Sequence, residues 1–143
     1  PETGKIWVHE HGPKGGDEIN IIESGKNYGW PTVTYGVNYN SSKITNETSR
    51  PNMTEPFHYW VPSIAPCGMD FVTSDKYPEW KGNLLVGSLK FQYLNRCTIE
   101  NNEVVKEEKL LEGLGRVRCV REAPDGYIYV ALENKGIVKI VPN

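Results

Sequence analysis

Between His9 and Pro31 the chain reads HEHGPKGGDEINIIESGKNYGWP, with two carboxylates, Asp17 and Glu18, directly after two glycine turns. Gly12-Pro13 and Gly15-Gly16 force the backbone through tight, non-repetitive geometry on either side of Lys14. Such a backbone turns carbonyl oxygens outward, where a hard cation can collect them, and oxygen-rich loops of this kind suit calcium. The same residues also describe a glycine-rich turn with solvated charges ahead of a short strand, Ile19-Asn20-Ile21-Ile22. His9 and His11 flank Glu10 and would share one face of a strand, but no third ligand at metal-binding spacing accompanies them. With His58, beside Tyr59-Trp60, they read as core or rim histidines. Arg116 and Arg118 alternate on one face of an expected strand, and Lys90 stands at a strand end. Taken singly these are solvated cations, just as Trp60 taken singly is a core indole.

The elements that must position these residues are short. Apolar runs recur between turn residues at Lys5–His9, Glu18–Ile22, Gly68–Thr73, Asn83–Ser88, Tyr93–Ile99, Val117–Arg121, Tyr127–Leu132 and Ile137–Val141, and they predict strands. Asn101-Asn102 and Asp125-Gly126 sit where hairpin turns belong. Eight tyrosines, four tryptophans, 14 glycines and 10 prolines in 143 residues suit many short strands better than long helices. The best helical candidate is EVVKEEKLLEGLG, residues 103–115, with its apolar positions partly at helical spacing. Residues 38–55 form a polar loop rich in Asn, Ser and Thr, with glycosylation-type triplets at Asn40, Asn46 and Asn52 that matter only in a eukaryotic secretory setting.

Composition narrows the partners. A formal net charge of -2 argues against nucleic acid, whose binders carry a basic excess. No apolar run approaches the ~20 residues of a membrane span. Cys67, Cys97 and Cys119 are an odd number without metal spacing and read as buried free thiols, a Cys97–Cys119 disulfide remaining open.

Four blocks in order carry a resemblance: His11-Gly12-Pro13 through Trp30-Pro31, Tyr59-Trp60-Val61-Pro62-Ser63-Ile64-Ala65-Pro66, Gly82 to Lys90 (GNLLVGSLK), and Leu114 through Gly126 (LGRVRCVREAPDG). They resemble the C-terminal part of the soluble quinoprotein aldose sugar dehydrogenases, the glucose/sorbosone dehydrogenase family. These are six-bladed β-propellers that use pyrroloquinoline quinone (PQQ) and calcium. The resemblance implies an all-β chain forming a partial β-propeller, about three four-stranded antiparallel blades. Residues 1–60 would hold the first blade region, 61–113 the second blade and 114–143 an incomplete last blade, within one domain. In that frame residues 103–115 become an outer strand and a turn. The last blade would stop after three strands.

The resemblance also implies roles. Trp60 would be the stacking plate for PQQ, with Lys90, Arg116 and Arg118 as cations for its carboxylates. Gly12 and Pro13 would give main-chain oxygens to the catalytic calcium. Glu18 and the backbone oxygen of Tyr28 would bind a second, structural calcium. Phe57 and Leu89 would lie near the sugar, Phe57 lacking the hydroxyl of a tyrosine. The family's general-base histidine and an assisting arginine lie in an N-terminal half without counterpart here. The chain opens at Pro1-Glu2-Thr3-Gly4, a turn inside a blade. It is therefore expected to be a fragment of a PQQ- and calcium-dependent aldose sugar dehydrogenase, inactive alone and without catalytic residues. Its substrate would be an aldose, its electron acceptor is unspecified, and its location would be periplasmic or secreted. Open blade edges would drive self-association or a rearrangement of the ends that covers them. The alternative is a non-catalytic extracellular propeller-type binding module.

Overall fold

The computed structural model describes residues 3–142, so the Pro1-Glu2 half of the expected opening turn lies outside the described residues. The chain is all-β, with ten strands in three antiparallel sheets among the described residues. It divides into two compact units, Pro1–Ala65 and Pro66–Asn143.

The first unit holds one sheet in the order β1-β2-β3, with β1 Ile6–Glu10, β2 Asp17–Ile22 and β3 His58–Trp60. Alternation along Ile6-Trp7-Val8-His9-Glu10 produces a half-buried strand. β2 is central, and Ile19 and Asn20 within it are fully buried. The register sets Glu10 opposite Glu18 and Glu18 opposite Tyr59, while Ile19 faces both His9 and His58. This sheet has three described strands where a four-stranded blade was expected. Most of the segment between β2 and β3 makes no ladder. Residues 38–55 are largely exposed, and only isolated bridges join Val37 to Lys14 and Lys43.

The second unit holds a four-stranded sheet, β4 Pro66–Phe71, β5 Leu84–Ser88, β6 Tyr93–Glu100 and β7 Glu103–Leu110, in chain order. It also holds a three-stranded sheet, β8 Val117–Glu122, β9 Ile128–Leu132 and β10 Gly136–Ile140. Residues 103–110 are strand, not helix, and the chain then turns through Leu111 at φ 55° and Gly113 at φ 73°. Asn101 and Asn102 both take positive φ, which is the requirement of a tight β6–β7 hairpin. The core joins the two sheets through Val72, Leu85, Leu94, Val117, Val120, Ile128 and Val130. A short 3-10 helix, Pro78–Trp80, follows Tyr77, whose hydroxyl donates to Ile140 O (2.6 Å) and accepts from Ile128 N (3.0 Å). Gly68, at φ 75°, allows the close approach of β4 to β8. A Cβ there would stand 2.7 Å from Cys119 Cα. All three cysteines are free. Cys97 is buried as expected, whereas Cys67 and Cys119 are partly exposed.

Candidate functional site

In the first unit the expected calcium loop is a rigid turn hung from a buried carboxylate. Asp17 is 1% exposed. Its Oδ1 accepts from Gly12 N at 2.8 Å and its Oδ2 from Ala65 N at 2.7 Å. Gly15 N donates to Ser63 Oγ (2.8 Å) and Gly16 N to Trp60 O (2.8 Å). A side chain at Gly12 would place Cβ 2.2 Å from Gly15 O and 2.4 Å from Gly16 O, so only glycine fits. Among the described residues, neither Gly12 O nor Pro13 O accepts a hydrogen bond. The carbonyls of Gly15 and Gly16 turn inward against Gly12, and the outward oxygens are fewer than the glycine pattern alone suggests.

Glu18 and Tyr28 line one cavity of about 270 Å³ together with Glu10, His11, Gly12 and Trp30. Glu10 and Glu18 are cross-strand neighbours, and Asn20 Nδ2 donates to both, at 2.5 Å to Glu10 Oε1 and 3.1 Å to Glu18 Oε2. Burial, and then the like charge of Glu10, push the Glu18 carboxyl above its ordinary range against the opposing effect of the Asn20 bond. Asn20 Oδ1 is buried without a partner. Such a group invites a cation. The Tyr28 hydroxyl is already committed, donating to Ile21 O (2.7 Å) and accepting from Glu23 N (2.8 Å), which leaves its backbone for other work.

The aromatic residues of this unit differ in exposure. Trp60 is only 6% exposed, with the His58 ring at its edge (4.8 Å, 82°). Phe57 packs edge-on against Trp7 at 4.6 Å. Tyr59 is 42% exposed and stacked on Tyr35 at 3.6 Å and 6°. Burial and Glu55 push the Tyr35 hydroxyl up to about 12. Sequence reasoning missed this stack, because its members lie 24 residues apart across an irregular loop. His9 has a buried Nδ1 without a partner, and burial, followed by His11, lowers its pKa. No group of three or more His, Cys, Asp or Glu that could hold a metal occurs among the described residues. A calcium here would therefore need main-chain or amide oxygens beside the paired Glu10 and Glu18 carboxylates.

In the second unit Arg116 and Arg118 come together on one carboxylate. Arg118 Nη2 lies 2.9 Å from Glu133 Oε1, and Arg116 Nε lies 3.4 Å from Glu133 Oε2. Both guanidiniums are about half exposed. Cys67 Sγ donates to Arg118 O at 3.1 Å. Lys90 is exposed, its Nζ 5.0 Å from the Phe91 ring centroid, and Leu89 beside it is buried. A larger cavity of about 440 Å³ is bounded by Tyr77, Trp80, Ile140 and their neighbours and contains none of the expected site residues.

The glucose/sorbosone dehydrogenase family model matches residues 1–139. The chain belongs to the glucose/sorbosone dehydrogenase family. Within it, aldose sugar dehydrogenase YliI of Escherichia coli is 40% identical over 147 residues, covering 99% of this chain and 40% of the relative. A crystal structure of a glucose dehydrogenase superposes with a TM-score of 0.93 at 42% identity, covering 100% of this chain and 43% of that one. A more distant structure, the PQQ-bound aldose sugar dehydrogenase of Streptomyces coelicolor, shares the fold with a TM-score of 0.70 at 21% identity, over 97% of this chain and 40% of its own. The chain thus spans about two fifths of these glucose/sorbosone dehydrogenase relatives. Its three open sheets are a partial β-propeller of this family.

Proposed function

We propose that this chain supplies the cofactor cradle of a PQQ- and calcium-dependent aldose sugar dehydrogenase. The observation that carries the reading is the Arg116/Arg118 pair. Two guanidinium forks converge on one carboxylate, an arrangement suited to the carboxylates of a flat, polyanionic quinone. Bound PQQ would accept hydride from C1 of the sugar as the C1 hydroxyl is oxidised towards the lactone.

Around it, Arg116, Arg118 and Lys90 bind carboxylates. Gly12 and Pro13 offer carbonyl oxygens, not taken up by hydrogen bonds among the described residues, to a catalytic calcium. Glu18 and the Tyr28 backbone oxygen hold the structural calcium. The opposed Glu10 and Glu18 carboxylates and the orphaned Asn20 Oδ1 fit a hard cation. Trp60, 6% exposed, is assigned the stacking role by resemblance. Phe57 and Leu89 approach the sugar. His9, His11 and His58 are not assigned the base, and the chain alone is inactive.

The substrate is an aldose, the electron acceptor is unspecified, and the protein works in the periplasm or outside the cell. No described helix is long and apolar enough to cross a membrane. The open edges of β1 and β10 promote self-association. The binding-module alternative is not favoured, since the matched family is one of dehydrogenases. The test is a titration of the chain with PQQ, with and without calcium, followed by tryptophan fluorescence. Saturable, calcium-strengthened quenching is expected. Its absence, or sugar-dependent dye reduction by the chain alone, refutes the cradle or the inactivity respectively.

A further inference from the structure

We propose that Glu133 is the positioning residue that presents Arg116 and Arg118 to an incoming carboxylate, an inference that rests on the cofactor-cradle reading. Glu133 follows β9 directly, and its N–H donates to Arg116 O at 2.9 Å. Opposite it, β8 carries a bulge. Val117 pairs with Leu132 and Cys119 with Ala131, leaving Arg118 as the extra residue between them. Bulges of this kind re-aim a side chain. Val117 is fully buried and anchors the bulge from within.

The carboxylate divides its oxygens between the two arginines instead of closing a two-bond fork on either. Each guanidinium spends one nitrogen on Glu133 out of five N–H donors. The Arg118 side chain also meets Cys67, and both guanidiniums stay about half exposed. The Arg118 hydrogen bond holds the Glu133 carboxyl below the ordinary range, so the tether is ionised at neutral pH. Half-exposed arginines otherwise sample many rotamers, and ordering them on ligand binding opposes affinity. Glu133 removes part of that cost before the ligand arrives. A residue that merely filled the site as a competing anion would act in the opposite sense.

The test compares PQQ with its trimethyl ester as probes of the wild-type chain and of Glu133→Ala, Glu133→Gln, Glu133→Asp, Arg118→Ala and the Glu133→Ala/Arg118→Ala double variant. Glu133→Ala is expected to weaken PQQ binding roughly fivefold, to leave ester binding unchanged, and to cost less on top of Arg118→Ala than in the wild type, because only Arg116 is then left for Glu133 to hold. Glu133→Gln, which keeps one acceptor, falls between wild type and Glu133→Ala, and Glu133→Asp, which keeps the charge, loses less than Glu133→Ala. Unchanged ester binding shows that the loss is not one of folding. Tighter PQQ binding by Glu133→Ala, or effects that simply add in the double variant, would overturn the inference. Saturable wild-type binding that every Glu133 substitution leaves unchanged removes the inference alone. No saturable binding of PQQ by the wild type removes the cradle reading and the inference with it.

Discussion

Replacing Asp17 by alanine should loosen the Gly12-Pro13 turn, and the structure sets the size of the effect. Asp17 is 1% exposed and its carboxylate receives two backbone N–H groups, Gly12 N at 2.8 Å and Ala65 N at 2.7 Å. Hydrogen bonds to a charged acceptor contribute about 1.5–3 kcal/mol each, and an unsatisfied buried donor costs about 1–3 kcal/mol. Relaxation and water entry return part of this, so a net loss of about 3 kcal/mol is expected for Asp17→Ala. Asp17→Asn keeps one acceptor oxygen and should lose about half as much. The assay is equilibrium urea unfolding followed by tryptophan fluorescence, which favours the first unit because Trp7, Trp30 and Trp60 lie there and only Trp80 in the second. With a urea slope of about 1–3 kcal/mol/M, the Asp17→Ala midpoint should fall by roughly 1–3 M. A fall below about 0.2 M, or equal losses for the two variants, would refute the claim that this carboxylate holds the turn.

Glu18 gives a pH test with a definite sign. Its carboxyl is raised above the ordinary 4.5 by burial and by Glu10. Without calcium its contribution to stability is therefore fully present below about that value and is lost as pH rises through the folded-state pKa. Calcium-free Glu18→Gln should accordingly melt higher than wild type at pH 7 and no higher at pH 4. Calcium should raise the wild-type melting temperature at pH 7 and raise that of Glu18→Gln by less, since only the Gly12-Pro13 site is then left intact. A thiol titration should count two reactive cysteines in the native chain, Cys67 and Cys119, and a third only on denaturation. Cys97 is buried, and burial pushes its thiol up.

Eight of the ten strands were legible because each carries its own alternation or apolar run between turn residues, as Tyr93–Glu100 and Ile128–Leu132 show. β3 was not, since three residues have no period. It exists because Ile19 and Glu18 pair with His58 and Tyr59 across a long irregular loop. The 3-10 helix at Pro78–Trp80 is likewise too short to leave a pattern. The propeller architecture was reached through resemblance, because local alternation says nothing about how sheets are ordered.

For the site, the family resemblance singled out Gly12, Glu18, Arg116 and Arg118. What surrounds them was invisible. Asn20 looked like an interior strand residue, and its bond to two carboxylates depends on cross-strand register. Glu133 lay 15 residues from the arginine it holds. Trp60 shows the converse, since an aromatic type suited to stacking says nothing of the burial that its neighbours impose.

The most direct test of the cofactor cradle is equilibrium dialysis of PQQ against the wild-type chain and Arg116→Ala/Arg118→Ala, in calcium. Saturable binding by the wild type, weakened at least about tenfold by the double substitution, is predicted. Equal binding by both proteins, or none by the wild type, would contradict the account.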